Sequence, residues 1–415
     1  MRISRLSAFV LILPLILTFL PETSRAQLVM GQYEDEAPLR TWNTFGFTTA
    51  PSLAMGETQF TLASDSSASL SNPALLTDLP KITLTLNSSV ETASMFKFSI
   101  VNTGVFLTEG NSSLSYLSFD FAGASFRLKN WAFSFSVALL EYYPRPLIDF
   151  QYSAMFDAYT LNFNQDGALQ NINFSVARRL FGKISLGLGL NYAFGYLEKE
   201  IQEEWVSQNY SITDRKSHEF KGFYINGGLV WDLTQKLRIA AVFRTPFVKE
   251  SDSESFLRYY SPDTNTDIQI EAAGQSEYEQ PFVTGLGVAY TFSPRLRVAS
   301  DLTFYKWSEY SIIYFDQDDE LERDFKDILK VGAGIEYMAT TRLFGQDLNV
   351  PFRAGLIHDP QPMVAPDSSY FYFSFGTGIQ WRKLYFDLGM LIGEEGGSGN
   401  SLSAKKVTLS LSFKM

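Results

Sequence analysis

The chain has 415 residues, with 34 basic and 45 acidic side chains, a formal charge of −11, two histidines and no cysteine. Nucleic acid demands a basic footprint for its phosphates, so this balance argues against it as a partner. Without cysteine there is no disulfide framework, iron–sulfur cluster or thiolate zinc site, and His218 and His358 are little material for a histidine metal centre; no metal or cofactor is expected.

The chain opens on a leader. Arg2 and Arg5 supply a positive start, residues 9–20 an apolar core too short to cross a bilayer as a helix, and Ser24-Arg25-Ala26 a small-x-small cleavage site. Residues 1–26 therefore read as a signal peptide, with Gln27 as the mature start. No later stretch reaches the roughly 18 uninterrupted apolar residues that a spanning helix needs. Residues 27–79 are rich in Ser, Thr and Ala, lack strand periodicity and contain Asn72-Pro73-Ala74. Asn-Pro commonly starts a turn, which is the plain reading of that tripeptide.

From residue 80 the pattern changes. Ile184, Leu186, Leu188 and Leu190 interleave with Ser185, Gly187 and Gly189; Val407, Leu409 and Leu411 interleave with Thr408 and Ser410. Period two makes one face apolar and the other polar or small. Fourteen strands are predicted, at 81–92, 113–127, 131–143, 168–179, 183–197, 217–231, 236–248, 279–292, 295–305, 326–338, 350–357, 370–381, 383–392 and 405–415. Even-numbered strands are followed by short links, the one at 339–349 being longer, and odd-numbered strands by long polar loops. That asymmetry is the pattern of outer-membrane barrels, whose short turns are periplasmic. A soluble β-sandwich alternates too but has no reason for one-sided loops. The expected fold is all-β: a transmembrane antiparallel β-barrel of about 14 strands over residues 80–415, in the outer membrane of a Gram-negative bacterium.

Faces follow from charge. Phe133, Phe135, Ile239, Phe243, Leu286, Val288, Ile335, Phe371, Phe373 and Phe375 are assigned to lipid. Ser134, Arg238, Arg244, Gly285, Gly287, Gly334 and Glu336 are assigned to the lumen. A charge facing lipid at mid-depth costs about 2–4 kcal/mol, which fixes this register. The many lumen glycines leave room for a chain or a ligand close against the wall.

Three further groups stand out. Tyr143, Pro144 and Pro146 follow the third strand; proline removes ladder donors, so the segment is either a strand end or a kink in the wall. Loops 198–216 and 249–278 carry Trp205, Tyr210, Phe256, Tyr259 and Tyr260 among charges. Asp316 to Asp324 is an acidic run without EF-hand spacing and reads as a solvated loop. The Gly-x-Gly repeats lie on strands, not before helices, and neither histidine sits in a recognisable Ser context, so an enzyme is not expected.

Residues 65–74, Asp65-Ser66-Ser67-Ala68-Ser69-Leu70-Ser71-Asn72-Pro73-Ala74, resemble the "Asp…Ala…Asn-Pro-Ala" signature of the FadL/TodX family, the outer-membrane transporters of long-chain fatty acids and aromatic hydrocarbons. Residues 237–246 are similar to the family's mid-barrel strand and its following proline. Residues 326–337 resemble its "Lys-Asp…Gly…Glu-Tyr" strand, and residues 352–362 its "Arg-x-Gly…Asp…Pro" strand and loop. The chain departs at Leu75, where the family usually has Gly, and at Met415, where it usually ends on Phe.

The resemblance implies a fourteen-stranded barrel whose N-terminal segment, residues 27–79, is a hatch plugging the lumen, with Asn72, Pro73 and Ala74 as its motif. It implies passive uptake of hydrophobic solutes. Tyr143, Pro144 and Pro146 would form a third-strand kink that releases solute sideways, and Trp205, Tyr210, Phe256, Tyr259 and Tyr260 an outer hydrophobic groove. The partners expected are hydrophobic small molecules, outer-membrane lipid and lipopolysaccharide, and the barrel assembly machinery; the barrel is expected to be a monomer. The Asn-Pro-Ala signature also occurs in related barrels that serve protein secretion, so an accessory barrel of a secretion system is the alternative.

Overall fold

The computed structural model describes residues 45–415 apart from 98–100, 103–104, 108–110, 144, 155–156, 207, 316–320, 323–324, 344–345, 365–366 and 398–402. The leader, the start of the N-terminal segment, Pro144 and most of the acidic run lie outside the described residues.

Fourteen wall strands close on themselves. They are β1 (Ile82–Lys97), β2 (Asn111–Leu128), β3 (Trp131–Tyr142), β4 (Asp157–Leu180), β5 (Ile184–Trp205), β6 (Tyr210–Asp232) and β7 (Leu237–Arg244). The second half is β8 (Val283–Ser293), β9 (Leu296–Tyr305), β10 (Ile328–Leu343), β11 (Gln346–Pro360), β12 (Ser369–Trp381), β13 (Leu384–Gly396) and β14 (Ser403–Lys414). Every neighbouring pair is antiparallel, and β1 closes on β14 from Thr83↔Lys414 to Ser94↔Ser403. Closing β14 onto β1 removes the edge that an open sheet would present to lipid, which is what a hydrocarbon surrounding requires.

The faces divide as the alternation predicts. Leu84, Leu86, Phe133, Phe135, Leu286, Val288, Ile335, Phe371, Phe373 and Phe375 are exposed on the outer wall, whereas Ser134, Ser136, Asn173, Ser175, Asp301, Glu336 and Arg353 are buried inside. Arg353 joins Glu336 at 2.8 Å and Asp387 at 2.7 Å across the lumen side of β10, β11 and β13, a bonded network that keeps charge out of lipid.

The wall is taller than expected on one side. β4, β5 and β6 run 24, 22 and 23 residues, roughly twice the 9–11 residues a spanning strand needs. Residues 198–216 and 249–278, read from sequence as loops, are largely strand. Their alternation is between charged residues and aromatics, which composition alone does not separate from a polar loop. β7 ends at Arg244, skips Thr245-Pro246, and resumes as Phe247–Ser261, which turns back as Thr266–Gln280 before β8. Pro246 cannot donate to the ladder, so the strand breaks there and its continuation re-pairs with β6, Glu250 opposite Lys221.

Residues 45–79 lie inside the barrel as two single-turn helices, α1 (Ala50–Leu53) and α2 (Ala68–Ser71), and a 3₁₀ turn at Pro73–Asp78. Nearly all of their side chains are buried.

Candidate functional site

The inner segment is held to the wall by groups that the strands aim inward. Asn72 works in three directions. Its Oδ1 accepts from the Ala74 amide at 3.1 Å and so caps the 3₁₀ turn; its Nδ2 donates to the Phe60 carbonyl at 2.7 Å; and its side chain lies against the wall at Gly228. A primary amide places a donor and an acceptor on separate atoms, so one side chain serves both partners at once. Pro73 then sits where a helix start needs no N–H, and Ala74 is fully buried with no room for more. Gly228 and Gly187 are glycine because a Cβ there would strike Asn72 and Pro73; Gly332, Gly334 and Gly355 would strike Met55 and Gly56 in the same way.

Charged groups fasten the same segment. Asp301 Oδ2 accepts from the Gln59 and Phe60 amides at 2.6 and 2.8 Å. Lys330 bridges Glu57 at 2.8 Å and Asp359 at 3.3 Å, all three buried. Near the short-turn rim, Asp78 takes Arg238 at 2.8 Å and also Arg179. Removing one member of the buried Lys330–Glu57–Asp359 set leaves an uncompensated charge, so that set is a strong positional constraint; the Asp78 pairs are part-exposed and constrain less. Arg238 lies on the lumen side, as strand alternation predicts, and its pairing with Asp78 has no signal in the sequence.

Above this segment, toward the long loops, the lumen turns aromatic. Tyr143, Phe220, Tyr224, Tyr278, Tyr305, Trp307 and Tyr310 form one buried cluster with Ile312 and Ile328. At its centre the Lys249 ammonium lies 4.2 Å from the Phe220 ring and 5.1 Å from that of Tyr278, 3.2 Å from the Tyr143 hydroxyl. Tyr143 donates in turn to Glu141 Oε2 at 2.7 Å. Lys249 was not singled out from the sequence; a lysine in a run of charges gives no sign that the strand turns it inward.

Among the described residues the wall has a seam beside this cluster. β3 pairs with β2 from Leu128↔Trp131 only as far as Phe121↔Ala138. Yet β2 continues along β1 to Lys97↔Asn111, and β3 continues along β4 to Tyr142↔Ala168. Among the described residues no ladder joins β2 to β3 above Phe121. Both strands carry a bulge where they part: Asp120 is the extra residue in β2, and Leu140 in β3. A bulge bends its strand and adds twist. Asp120 is held by Asn87 Nδ2 at 2.7 Å, and Leu140 packs toward Phe47 and Phe121. The bulge also reverses the face, so Tyr143 points into the chamber and Tyr142 outward. A cavity of about 60 Å³ lies behind the seam, between Glu91 and Asp120 of the wall and Phe47 and Leu53 of the inner segment.

Of the residues singled out from sequence, Asn72, Pro73 and Ala74 stand together inside the barrel. Tyr143 lines the chamber next to the seam. Pro146 is the second residue of a short strand, Arg145–Ala154, and Pro144 lies outside the described residues. The five loop aromatics do not form one groove. Trp205 stacks on Tyr210 at 5.7 Å and Tyr210 meets Tyr259 at 5.4 Å, on the inner face of the tall wall. Phe256 and Tyr260 sit on its outer face, under Arg215 and Arg258. The cause is strand alternation: once these residues are in a ladder, 256 and 260 share a face opposite to 259. At the tip of the hairpin, the hydrogen bond from Arg258 holds the Asp267 carboxyl below its usual range.

The fold is shared with known barrels. The structure superposes on the Pseudomonas putida toluene transporter TodX with a TM-score of 0.64 at 16% identity, covering 90% of this chain and 99% of that one. It superposes on the Ralstonia pickettii toluene transporter TbuX with a TM-score of 0.62 at 13% identity, covering 89% and 99%. A Pseudomonas aeruginosa FadL homologue gives 0.63 at 12% identity, covering 88% and 98%. At such identities these likenesses establish the architecture alone. No curated protein matches by sequence. A family model described as BamG matches residues 46–414, the inner segment and the barrel together, and the chain belongs to the BamG family.

Proposed function

We propose that this barrel is an outer-membrane channel for passive uptake of hydrophobic solutes, with the inner segment as its hatch and the β2–β3 seam as a lateral exit. The observation that carries this reading is the seam: among the described residues, β2 and β3 stop pairing above Phe121, with Leu117 and Phe119 exposed outside and the buried aromatic cluster behind. The structural neighbours are named as toluene transporters and a FadL homologue, which supports the same class of cargo. Solute enters over the inner face of the tall wall, where Trp205, Tyr210 and Tyr259 stack, and descends to the chamber.

Each buried methylene stabilises such a solute by about 0.8 kcal/mol, so an acyl chain binds without any polar contact. Lys249 adds a cationic donor among ring faces. That favours an amphiphile with an acidic head, such as a long-chain fatty acid, over a bare aromatic hydrocarbon. Cells expressing the chain should take up radiolabelled palmitate faster than cells carrying an empty vector, and mass spectrometry should find fatty acid in the purified barrel. Equal uptake and an empty barrel would remove the reading.

An accessory role in a protein-secretion machine is the second reading. What favours it is how completely the inner segment fills the lumen. It is supported if the chain purifies with a large secretion pore and carries no lipid.

A further inference from the structure

The seam is shut in this structure, and two side chains shut it. Tyr116 of β2 and Tyr142 of β3 face one another across the gap, ring centroids 3.9 Å apart and planes tilted by 35°. Among the described residues their strands share no backbone pairing at this height, and the two rings span the gap between them. Behind them is the cavity of about 60 Å³. Ligand pockets run to about 300–1,000 Å³, so nothing the size of an acyl chain passes while the rings are together.

The two rings are held unequally. The Tyr116 hydroxyl bonds to Glu91, which is paired with Lys406 at 3.5 Å; this ring is anchored on the β1–β14 side. Tyr142 is 37% exposed at the end of its strand, one residue past a bulge pair and one residue before Tyr143. Tyr143 is tied to Lys249 in the chamber. The leaf free to swing is therefore the one whose neighbour touches the cargo site.

We infer that Tyr116 and Tyr142 are the latch of the lateral exit: Tyr116 is the fixed post, Tyr142 the moving leaf, and the pair admits solute to the bilayer only when the leaf turns out. This rests on the lateral-release reading of the seam and adds the residues that regulate it. The chemistry suits an apolar occupant. A ring pair held by dispersion and quadrupole contact yields to another apolar surface at little cost, whereas a hydrogen-bonded ladder would have to be broken.

The natural absence of cysteine makes the test direct. Cells expressing the Tyr116→Cys/Tyr142→Cys protein would be treated with a reductant-cleavable bismaleimide, and palmitate uptake measured at equal surface amount of heat-modifiable barrel. Cross-linking should cut uptake at least tenfold, and cleavage should restore it. The same treatment of Arg127→Cys/Ala132→Cys, a paired position below the seam, should change nothing. Tyr142→Ala alone should raise uptake about threefold to tenfold, the worth of a lost aromatic pair. If the cross-linked seam passes palmitate as fast as before, or the control pair blocks it equally, the latch is wrong while uptake by the parent still supports the channel. If the parent itself takes up nothing, channel and latch fall together.

Discussion

The two ends of the lumen are built from opposite chemistry. Toward the short-turn rim the wall presents Ser, Asn and charged residues, and several of them bond to residues 45–79: Asn226 donates to the Ser69 and Leu70 carbonyls at 3.0 and 3.1 Å, Ser410 accepts from the Ala50 amide at 2.9 Å, and Asp301 takes two amides at once. Toward the long-loop rim the same strands present Phe220, Tyr224, Tyr278 and Tyr305, which pack on one another around Lys249. Polar groups specify one placement because each must be satisfied. Aromatic surface accepts many placements. On the proposed reading, the first end closes the barrel and the second receives a variable guest.

Removing the closing end should give the largest effect. Deleting residues 27–76 should leave a heat-modifiable barrel that conducts ions in planar bilayers where the parent stays shut. A truncated barrel that assembles and remains silent would show that the wall itself, not the inner segment, seals the lumen.

A single side chain forced between wall and inner segment should act in the same direction but more weakly. Gly228→Leu would drive side-chain atoms into Asn72, and overpacking of this kind costs about 1–3 kcal/mol. We expect a lowered denaturant midpoint together with entry of small polar antibiotics. Gly396→Leu, at a position with open space around it, is the matched control and should do neither. Equal effects of the two would mean that lumen glycines serve strand geometry and not the close approach of the inner chain.

At the receiving end, Lys249→Met keeps bulk and removes charge. A hydrogen bond to a charged group contributes about 1.5–3 kcal/mol, so affinity for a long-chain carboxylate should fall about tenfold or more. Affinity for the alcohol of equal length should hold. If both ligands weaken together, Lys249 serves packing, and the acidic-head reading of the cargo fails.

The same contrast explains what the sequence made legible. Period-two alternation located all fourteen strands because a lipid-facing band and a bonded lumen must alternate everywhere. Glycine-rich inner faces flagged close packing for the same reason: Gly187 and Gly334 have no other use there. The Asn72-Pro73-Ala74 run stood out because Asn-Pro starts turns and because residues 65–74 resemble a family signature. The seam was not legible. Its two bulges are single extra residues, Asp120 and Leu140, in strands that otherwise keep perfect alternation, and one residue of phase is invisible until the partners are known. Lys249 escaped for a related reason. Its face depends on the break at Pro246, which resets the register of everything beyond it.

Register also decides the smallest of these effects, which separates the two faces of the tall wall. Tyr259 lies inside, against Tyr210, whereas Phe256 lies outside beneath Arg215. If solute is gathered on the inner face, Tyr259→Ala should slow uptake at low palmitate concentration about twofold to tenfold, the worth of one aromatic contact. The loss should vanish at saturating solute, because only capture is impaired. Phe256→Ala should leave uptake unchanged at both concentrations. Both side chains sit in hydrogen-bonded strand, so neither change should disturb assembly, and the comparison is read at equal surface amount. A deficit confined to Phe256→Ala would place the gathering surface on the outer face and would mean that the aromatics from Trp205 to Tyr259 only stiffen the wall.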